Sequence, residues 1–257
     1  MTVNILAVGD VCGSNGLEFL RAHLRSVKKI KNIAFTVVNG ENANVVGITP
    51  RQADYIFASG ADVITMGNHI WTRWEMQPYL DGNSRILRPA NYAPQCPGRG
   101  YGVYETKFGP ICVINLMGRY ALDTNVDNPF VVVESILEKI DTKVILVDMH
   151  AEATSERRAM GYFLDGRVSA VWGTHTHVQT SDAEVLPRGT GYITDLGMTG
   201  PVHSVLGIDL EQSISKFLGD PPQRYRSASG PCKMECAVFE IDMNTGKCLS
   251  AEALRIQ

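Results

Sequence analysis

Long apolar runs are missing from this sequence: no stretch approaches the roughly 20 consecutive apolar residues that a membrane-spanning helix requires, so no membrane association is expected. An excess of positive charge is also missing. With 24 Lys and Arg against 27 Asp and Glu, the formal net charge is −3 and the isoelectric point is near 6.1. That balance argues against an extended nucleic-acid surface, which needs clustered basic side chains to neutralise phosphates. Small anions stay possible as ligands, because a bound cation can supply the positive charge. Cysteine is sparse: Cys12, Cys96, Cys112, Cys232, Cys236 and Cys248 include no tight pair of the metal-knuckle kind, and 257 residues need no disulfide frame. Free thiols in a reducing compartment follow. The start, Thr2 to Asp10, has neither a basic segment nor a small-residue cleavage site and reads as a strand, so the expected location is the cytoplasm. Internal repeats, low-complexity tracts and obvious linkers are absent as well.

What is present is an alternation of short β-branched runs with stretches of helical period, the pattern of an α/β layered fold. The expected strands are Asn4–Gly9, Ala34–Asn39, Asp62–Met66, Ile111–Leu116, Val144–Met149, Ser169–Gly173 and Gly191–Thr194. Helices are expected over Gly16–Ile30, Pro50–Ser59, Pro129–Lys139 and Ser155–Leu164, the second opened by Thr49 as cap and Pro50 in its first turn. From Cys232 to Ile256 the pattern alternates around Met243–Gly246, which predicts a closing hairpin on a second sheet, hence a sandwich. Asp220–Pro231 reads as a loop. One domain over 1–257 is expected.

Polar residues collect where those strands end. The first strand runs into Asp10, the second into Glu41 and Asn42, the third into Asn68 and His69; later strands end at His150 and run into His175 and His177. Ligand sites in α/β sheets form at the carboxyl ends of strands, so these distant segments are expected to share one crevice. Carboxylate and carboxamide oxygens mixed with imidazole nitrogens suit iron, manganese or zinc. So many donors exceed one tetrahedral site, and two cations sharing a carboxylate is the economical reading. On an extended segment His175 and His177 face the same side, whereas a turn lets them serve different cations.

Each residue also has an ordinary explanation. Asp10 could cap the helix that follows. Asn39-Gly40 and Gly67-Asn68 could be plain turns. A single histidine after a strand is more often structural than a ligand, but His69, His150, His175 and His177 together exceed that reading. His23 is expected on a helix surface, His203 in a loop, and Trp71 and Trp74 in packing.

The segments Gly9-Asp10, Gly40-Glu41-Asn42, Gly67-Asn68-His69, His150 and Thr174-His175-Thr176-His177 resemble, in order and spacing, the motifs of calcineurin-like metallophosphoesterases. Members of that superfamily usually carry histidine, aspartate and an acidic residue where this chain has Cys12, Glu41 and Ile70. These departures, with Asn39–Ala43 and Asp195–Gly200, are similar to the YmdB-like branch, whose members hydrolyse 2′,3′-cyclic nucleotides. The resemblance runs along nearly the whole chain. It implies a four-layer α-β-β-α sandwich and a dinuclear centre, with iron favoured and manganese as its usual substitute. Asp10, Asn42 and His177 would hold one ion, Asn68, His150 and His175 the other, with Glu41 bridging. The implied reaction is attack by a hydroxide held between the ions, while His69 gives a proton to the leaving oxygen. A small phosphodiester such as a cyclic nucleotide is then the partner, and homo-oligomers are expected, with the segment from Trp71 to Tyr79 as a candidate contact. The rivals are a phosphomonoesterase for another small phosphate and a regulatory nucleotide- or RNA-binding protein with slow turnover. A structural metal ranks last, since structural sites are closed by four ligands and keep no free acid.

Overall fold

The computed structural model describes residues 1–122 and 125–257. In chain order the strands are β1 (Thr2–Val8), β2 (Asp10–Val11), β3 (Ile33–Asn39), β4 (Val63–Thr65), β5 (Ile86–Leu87), β6 (Tyr101–Tyr104), β7 (Ile111–Met117), β8 (Val144–His150), β9 (Ala170–Thr174), β10 (Glu184–Val185), β11 (Gly191–Ile193), β12 (Met198–Pro201), β13 (Cys232–Asp242) and β14 (Cys248–Ile256). The helices are α1 (Gly13–Ile30), α2 (Pro50–Ser59), α3 (Met76–Gly82), α4 (Pro129–Leu137), α5 (Thr154–Leu164) and α6 (Leu210–Leu218). Local chemistry sets several of their ends. Thr49 and Gln52 form a reciprocal capping box at α2 with Pro50 in the first turn, and Asn128 accepts from the Phe130 amide at α4. Among the described residues, no helix is long and apolar enough to cross a membrane.

Two sheets form. The first runs β2-β12-β13-β1-β3-β4-β5 with β14 on β13; the second runs β10-β11-β9-β8-β7-β6. Strands β1, β3, β4 and β5 are parallel, as are β7, β8, β9 and β11, so within each sheet the carboxyl ends gather on one edge. Three apolar layers make the architecture a four-layer α-β-β-α sandwich. Leu6, Val8, Val38 and Ile64 pack beneath Leu20, Leu24 and Ile56 of the helices α1 and α2. Ile5, Ala7, Phe35, Val37 and Val63 face Val113, Val144, Leu146 and Trp172 between the sheets. Ile145, Val147 and Met149 turn outward onto Val133 of α4 and Met160 of α5. The period-two alternation of a strand thus assigns successive residues to different layers.

The expected strands and helices all appear, with ends displaced by a few residues. One placement differs: the C-terminal hairpin β13–β14 joins the first sheet, where β13 pairs antiparallel with β1 over Thr2–Val8, and the second sheet is built from the middle of the chain. Periodicity reads a hairpin but not the sheet that receives it, because pairing is decided by packing of both faces. The segment after His69 also differs from an exposed contact. Trp71 packs edge-on against Tyr92 at 5.4 Å, Met76 and Leu80 are buried, and Trp74 alone of the aromatics there is well exposed.

Candidate active site

The layer between the sheets changes character along the strands. In β8, Val144 and Leu146 lie in the apolar inter-sheet core, and the next two residues on that face are Asp148 and His150. In β3 the same face carries Phe35 and Val37, then Asn39; in β4 it carries Val63, then Thr65; in β9 it carries Ala170 and Trp172, then Thr174. The apolar core is therefore capped at its carboxyl edge by buried polar side chains; β2 adds Asp10, and the loops beyond add Glu41, Asn42, Asn68, His69, His175 and His177.

All the residues picked out from the sequence meet there. The first sheet contributes oxygen donors through Asp10, Glu41, Asn42 and Asn68, and the second contributes imidazoles through His150, His175 and His177. Nε2 of His150 lies 3.0 Å from Glu41 Oε1, 3.0 Å from Asn68 Oδ1 and 3.1 Å from His175 Nδ1. Nε2 of His177 lies 3.3 Å from Asn42 Oδ1 and 3.8 Å from Asp10 Oδ1. The loop after β9 turns rather than extends: His175 and His177 have φ of 106° and 61°, which sends their rings to these two groups. Left-handed backbone at non-glycine residues costs of order 1–3 kcal/mol each and persists where surrounding structure imposes it.

The donor set suits cations. One imidazole nitrogen carries at most one hydrogen, so His150 Nε2 cannot hydrogen-bond with the two oxygens and the imidazole nitrogen around it all at once. Donor atoms of Glu41, His150 and His175 lie within 4.8 Å of one another, and the buried Asp10 Oδ1 has no hydrogen-bond partner. Burial pushes the Asp10 carboxyl up to about 7, against the opposing pull of His177 and His150. Burial also disfavours charge on Glu41 and His150, yet their mutual attraction prevails, holding Glu41 at about 2 and His150 at about 9. Burial, reinforced by His150, lowers His175 to about 3. Two buried carboxylates thus borrow positive charge from an imidazolium, the service a metal ion performs more completely.

A second layer fixes the rings. His150 Nδ1 lies 2.9 Å from Thr174 Oγ1, which donates to Asp148 Oδ1 at 2.7 Å; Asp148 Oδ2 accepts from Thr65 Oγ1 at 2.5 Å and Asn39 Nδ2 at 3.4 Å. Were Nε2 to bind a metal ion, the remaining hydrogen would sit on Nδ1, a tautomer that Asp148 would support through Thr174. His177 Nδ1 likewise meets the Leu206 carbonyl at 2.9 Å, with Cys12 Sγ at 3.5 Å. Asp195, paired with the buried Arg157, accepts from the Thr176 amide at 3.2 Å and its hydroxyl at 2.6 Å, which anchors the loop between the two histidines. Gly67 leaves room for the cluster: a Cβ there would overlap His150 Nε2 and Glu41 Oε2.

His69 stands apart from the donors. Its amide donates to Glu41 Oε2 at 3.1 Å, and its ring lines a cavity of about 420 Å³ with Glu41, Asn42, His175 and His177. Burial lowers its imidazole below the usual range. His203 is exposed and does not line this cavity, and His23 stacks on Phe19 at 4.1 Å on the surface of α1. Asp148 and Glu152, whose Oε2 is 3.1 Å from His175 Nε2, escape a motif-based reading, and Thr174 enters it only as part of the Thr174–His177 motif, with no role assigned. For Asp148 a signal exists: it is the one acid inside the apolar run Val144–Met149.

Residues 6–254 match the family model described as YmdB-like protein. The chain is 41% identical over 257 residues to the 2′,3′-cyclic-nucleotide 2′-phosphodiesterase of Bacillus subtilis (strain 168), covering 99% of this chain and 97% of that protein. A hypothetical protein from Thermus thermophilus superposes with a TM-score of 0.92 at 35% identity, covering 99% of each chain. A novel phosphatase from Mycoplasma pneumoniae superposes with a TM-score of 0.93 at 32% identity, covering 100% of this chain and 94% of the other. Similarity of sequence along the whole length, and of fold at this closeness, has one reading: the chain belongs to the YmdB-like family of the metallophosphoesterase fold.

Proposed function

We propose that this protein is a metal-dependent phosphodiesterase acting on small phosphodiesters of the 2′,3′-cyclic nucleotide type. The observation that carries the reading is the cluster of oxygen and nitrogen donors converging on the buried His150 Nε2, of which Glu41 and His175 also line the cavity, with His69 on the same cavity wall and outside the cluster. Asp10, Asn42 and His177 would hold one ion, Asn68, His150 and His175 a second, with Glu41 shared. Iron is favoured by the resemblance, and manganese or zinc also suits these donors. Bound ions would lower the pKa of water towards neutrality and neutralise the phosphoryl oxygens. The chain's own part is positional: the Glu41 contact with the His69 amide holds that imidazole over the site, where its protonated form would give a proton to the departing ribose oxygen and return to the neutral ring. General acid catalysis of this kind contributes about 10²–10⁴-fold.

Charge favours a diester over a monoester. Among the described residues lining the cavity none is Lys or Arg, while Glu41 and Glu152 are there. A dianionic monoester would bring a second charge with no side chain to meet it. The relative from Bacillus subtilis bears the name of a diesterase, which agrees. The test compares metal-loaded protein on 2′,3′-cyclic AMP and bis(p-nitrophenyl) phosphate with its rate on p-nitrophenyl phosphate. Diester kcat/KM should exceed monoester kcat/KM by at least about tenfold, the worth of roughly 1.4 kcal/mol; a monoester preference would overturn the reading.

Residues 1–257 are read as one domain, since each half-site draws donors from both sheets. Self-association is read from α6, where Leu210, Ile214, Phe217 and Leu218 show 43, 55, 83 and 82% of their surface at helical spacing. Light scattering on the purified protein tests it.

A further inference from the structure

Beside the donor cluster the cavity has a wall of a different kind, made by Val45, Leu206, Ile208 and Tyr225. Leu206 and Tyr225 expose 46 and 39% of their surface. The wall is built, not incidental. Ile208 bridges to Ser227, the Ala228 amide donates to the Gly207 carbonyl at 2.9 Å, and the Asp209 amide donates to the Arg226 carbonyl at 3.0 Å, so the segments bearing Leu206 and Tyr225 run side by side. It is also tied to the cluster, through the Leu206 carbonyl that receives His177 Nδ1. Lys216 donates to the Tyr225 hydroxyl and lies 5.1 Å from the ring centroid, which fixes the ring from the side of α6.

We propose that this wall is a nucleobase subsite, with the base stacked on Tyr225 and flanked by Leu206 and Val45. The proposal rests on the phosphodiesterase reading above and extends it to the part of the substrate that does not react. A cyclic phosphate seated at the cluster leaves its ribose leading away from the ions, and the group at the far end of that ribose is flat and weakly polar. An aromatic ring with aliphatic neighbours suits such a group, and a cavity of about 420 Å³ lies in the range of small-ligand sites. Nearby polar side chains are already engaged. Asn42 Nδ2 donates to the Val45 carbonyl at 3.0 Å, Thr176 Oγ1 to Asp195 at 2.6 Å, and Ser227 Oγ to the Ala228 carbonyl at 3.3 Å. Stacking without side-chain readout of the base edge accepts purines and pyrimidines alike. Cyclic AMP and cyclic UMP of the 2′,3′ type should then agree within about tenfold in kcat/KM.

The decisive comparison uses metal-loaded wild type, Tyr225→Ala and Tyr225→Phe on 2′,3′-cyclic AMP and on 1-O-methylribose 2′,3′-cyclic phosphate, the same ester without a base. Tyr225→Ala should raise KM for the nucleotide about tenfold and leave the baseless ester unchanged, while Tyr225→Phe stays near wild type. Equal losses on both esters, or no loss on either, would overturn the subsite. Adenosine, which has no phosphate, separates this claim from the catalytic one. Its binding to the wild type, followed by chemical-shift titration, should weaken about tenfold in Tyr225→Ala even if no ester is hydrolysed. Absence of saturable adenosine binding, or equal affinity in the two proteins, counts against the subsite whatever the activity.

Discussion

The Glu41 carboxylate and the His150 imidazole lie 3.0 Å apart, one carried by the loop after β3 and the other by the end of β8, both closed to solvent. Each sheet thus presents one partner of an ion pair to the other, and a cation between them would replace the imidazolium proton, with Glu41 compensating its charge and His150 as a neutral nitrogen donor. Glu41→Gln keeps the shape and removes the charge. Elemental analysis should show metal content falling well below wild type, with loss of diesterase activity; unchanged two-ion occupancy would remove Glu41 from the shared position.

His69→Ala separates proton transfer from ion binding. Metal content should match wild type while kcat on 2′,3′-cyclic AMP drops about 10²–10⁴-fold. A substrate with an acidic leaving group, such as bis(p-nitrophenyl) phosphate, needs little protonation and should lose much less. Similar losses on both substrates would refute the proton-donor role.

Gly67→Ala tests how tightly the cluster is packed. The added methyl overlaps His150 and Glu41, whose side chains have nowhere to retreat in a buried layer. Overpacking should cost about 1–3 kcal/mol by denaturant unfolding and remove most bound metal. A variant with wild-type stability and metal content would show the loop to be more compliant than described.

Asp148→Asn leaves the volume but disrupts the support of His150 through Thr174. Losing such support typically costs 10–100-fold in metal affinity. Manganese titration read by electron paramagnetic resonance should show that loss, larger than any change in Asp195→Asn, which acts on the loop of His175 and His177. An unchanged manganese affinity in Asp148→Asn would leave the acid a purely structural one.

Metal removal should destabilise the fold as well as silence the site. Returning manganese at 100 times its dissociation constant adds about 2.7 kcal/mol, roughly 5–10 °C in a protein of this size. Calorimetry with and without chelator measures it, and a shift near zero would contradict binding at the described cluster.

Much of this was legible in the sequence because strand ends advertise themselves: Asp10, Glu41, Asn68, His150 and His175 each follow an apolar run. Residues that act through position rather than type were not. Thr174 and Thr65 are ordinary strand residues by composition, and only the face they share with Asp148 gives them a part. The strain at His175 and His177 likewise follows from Asp195 and Arg157, which hold the loop from elsewhere in the chain. Tyr225 sits in a segment that reads as a featureless loop, and its relation to Leu206 depends on backbone pairing of 207–209 with 226–228, which periodicity does not reveal.

The division of labour between the sheets, oxygens from one and imidazoles from the other, has a mechanical side. An occupied centre would act as a rivet through the middle of the sandwich, so that sliding either slab past its neighbour means tearing out a ligand. Chains that have assembled one slab alone would hold half a coordination sphere, and metal capture would then report that the two halves have docked.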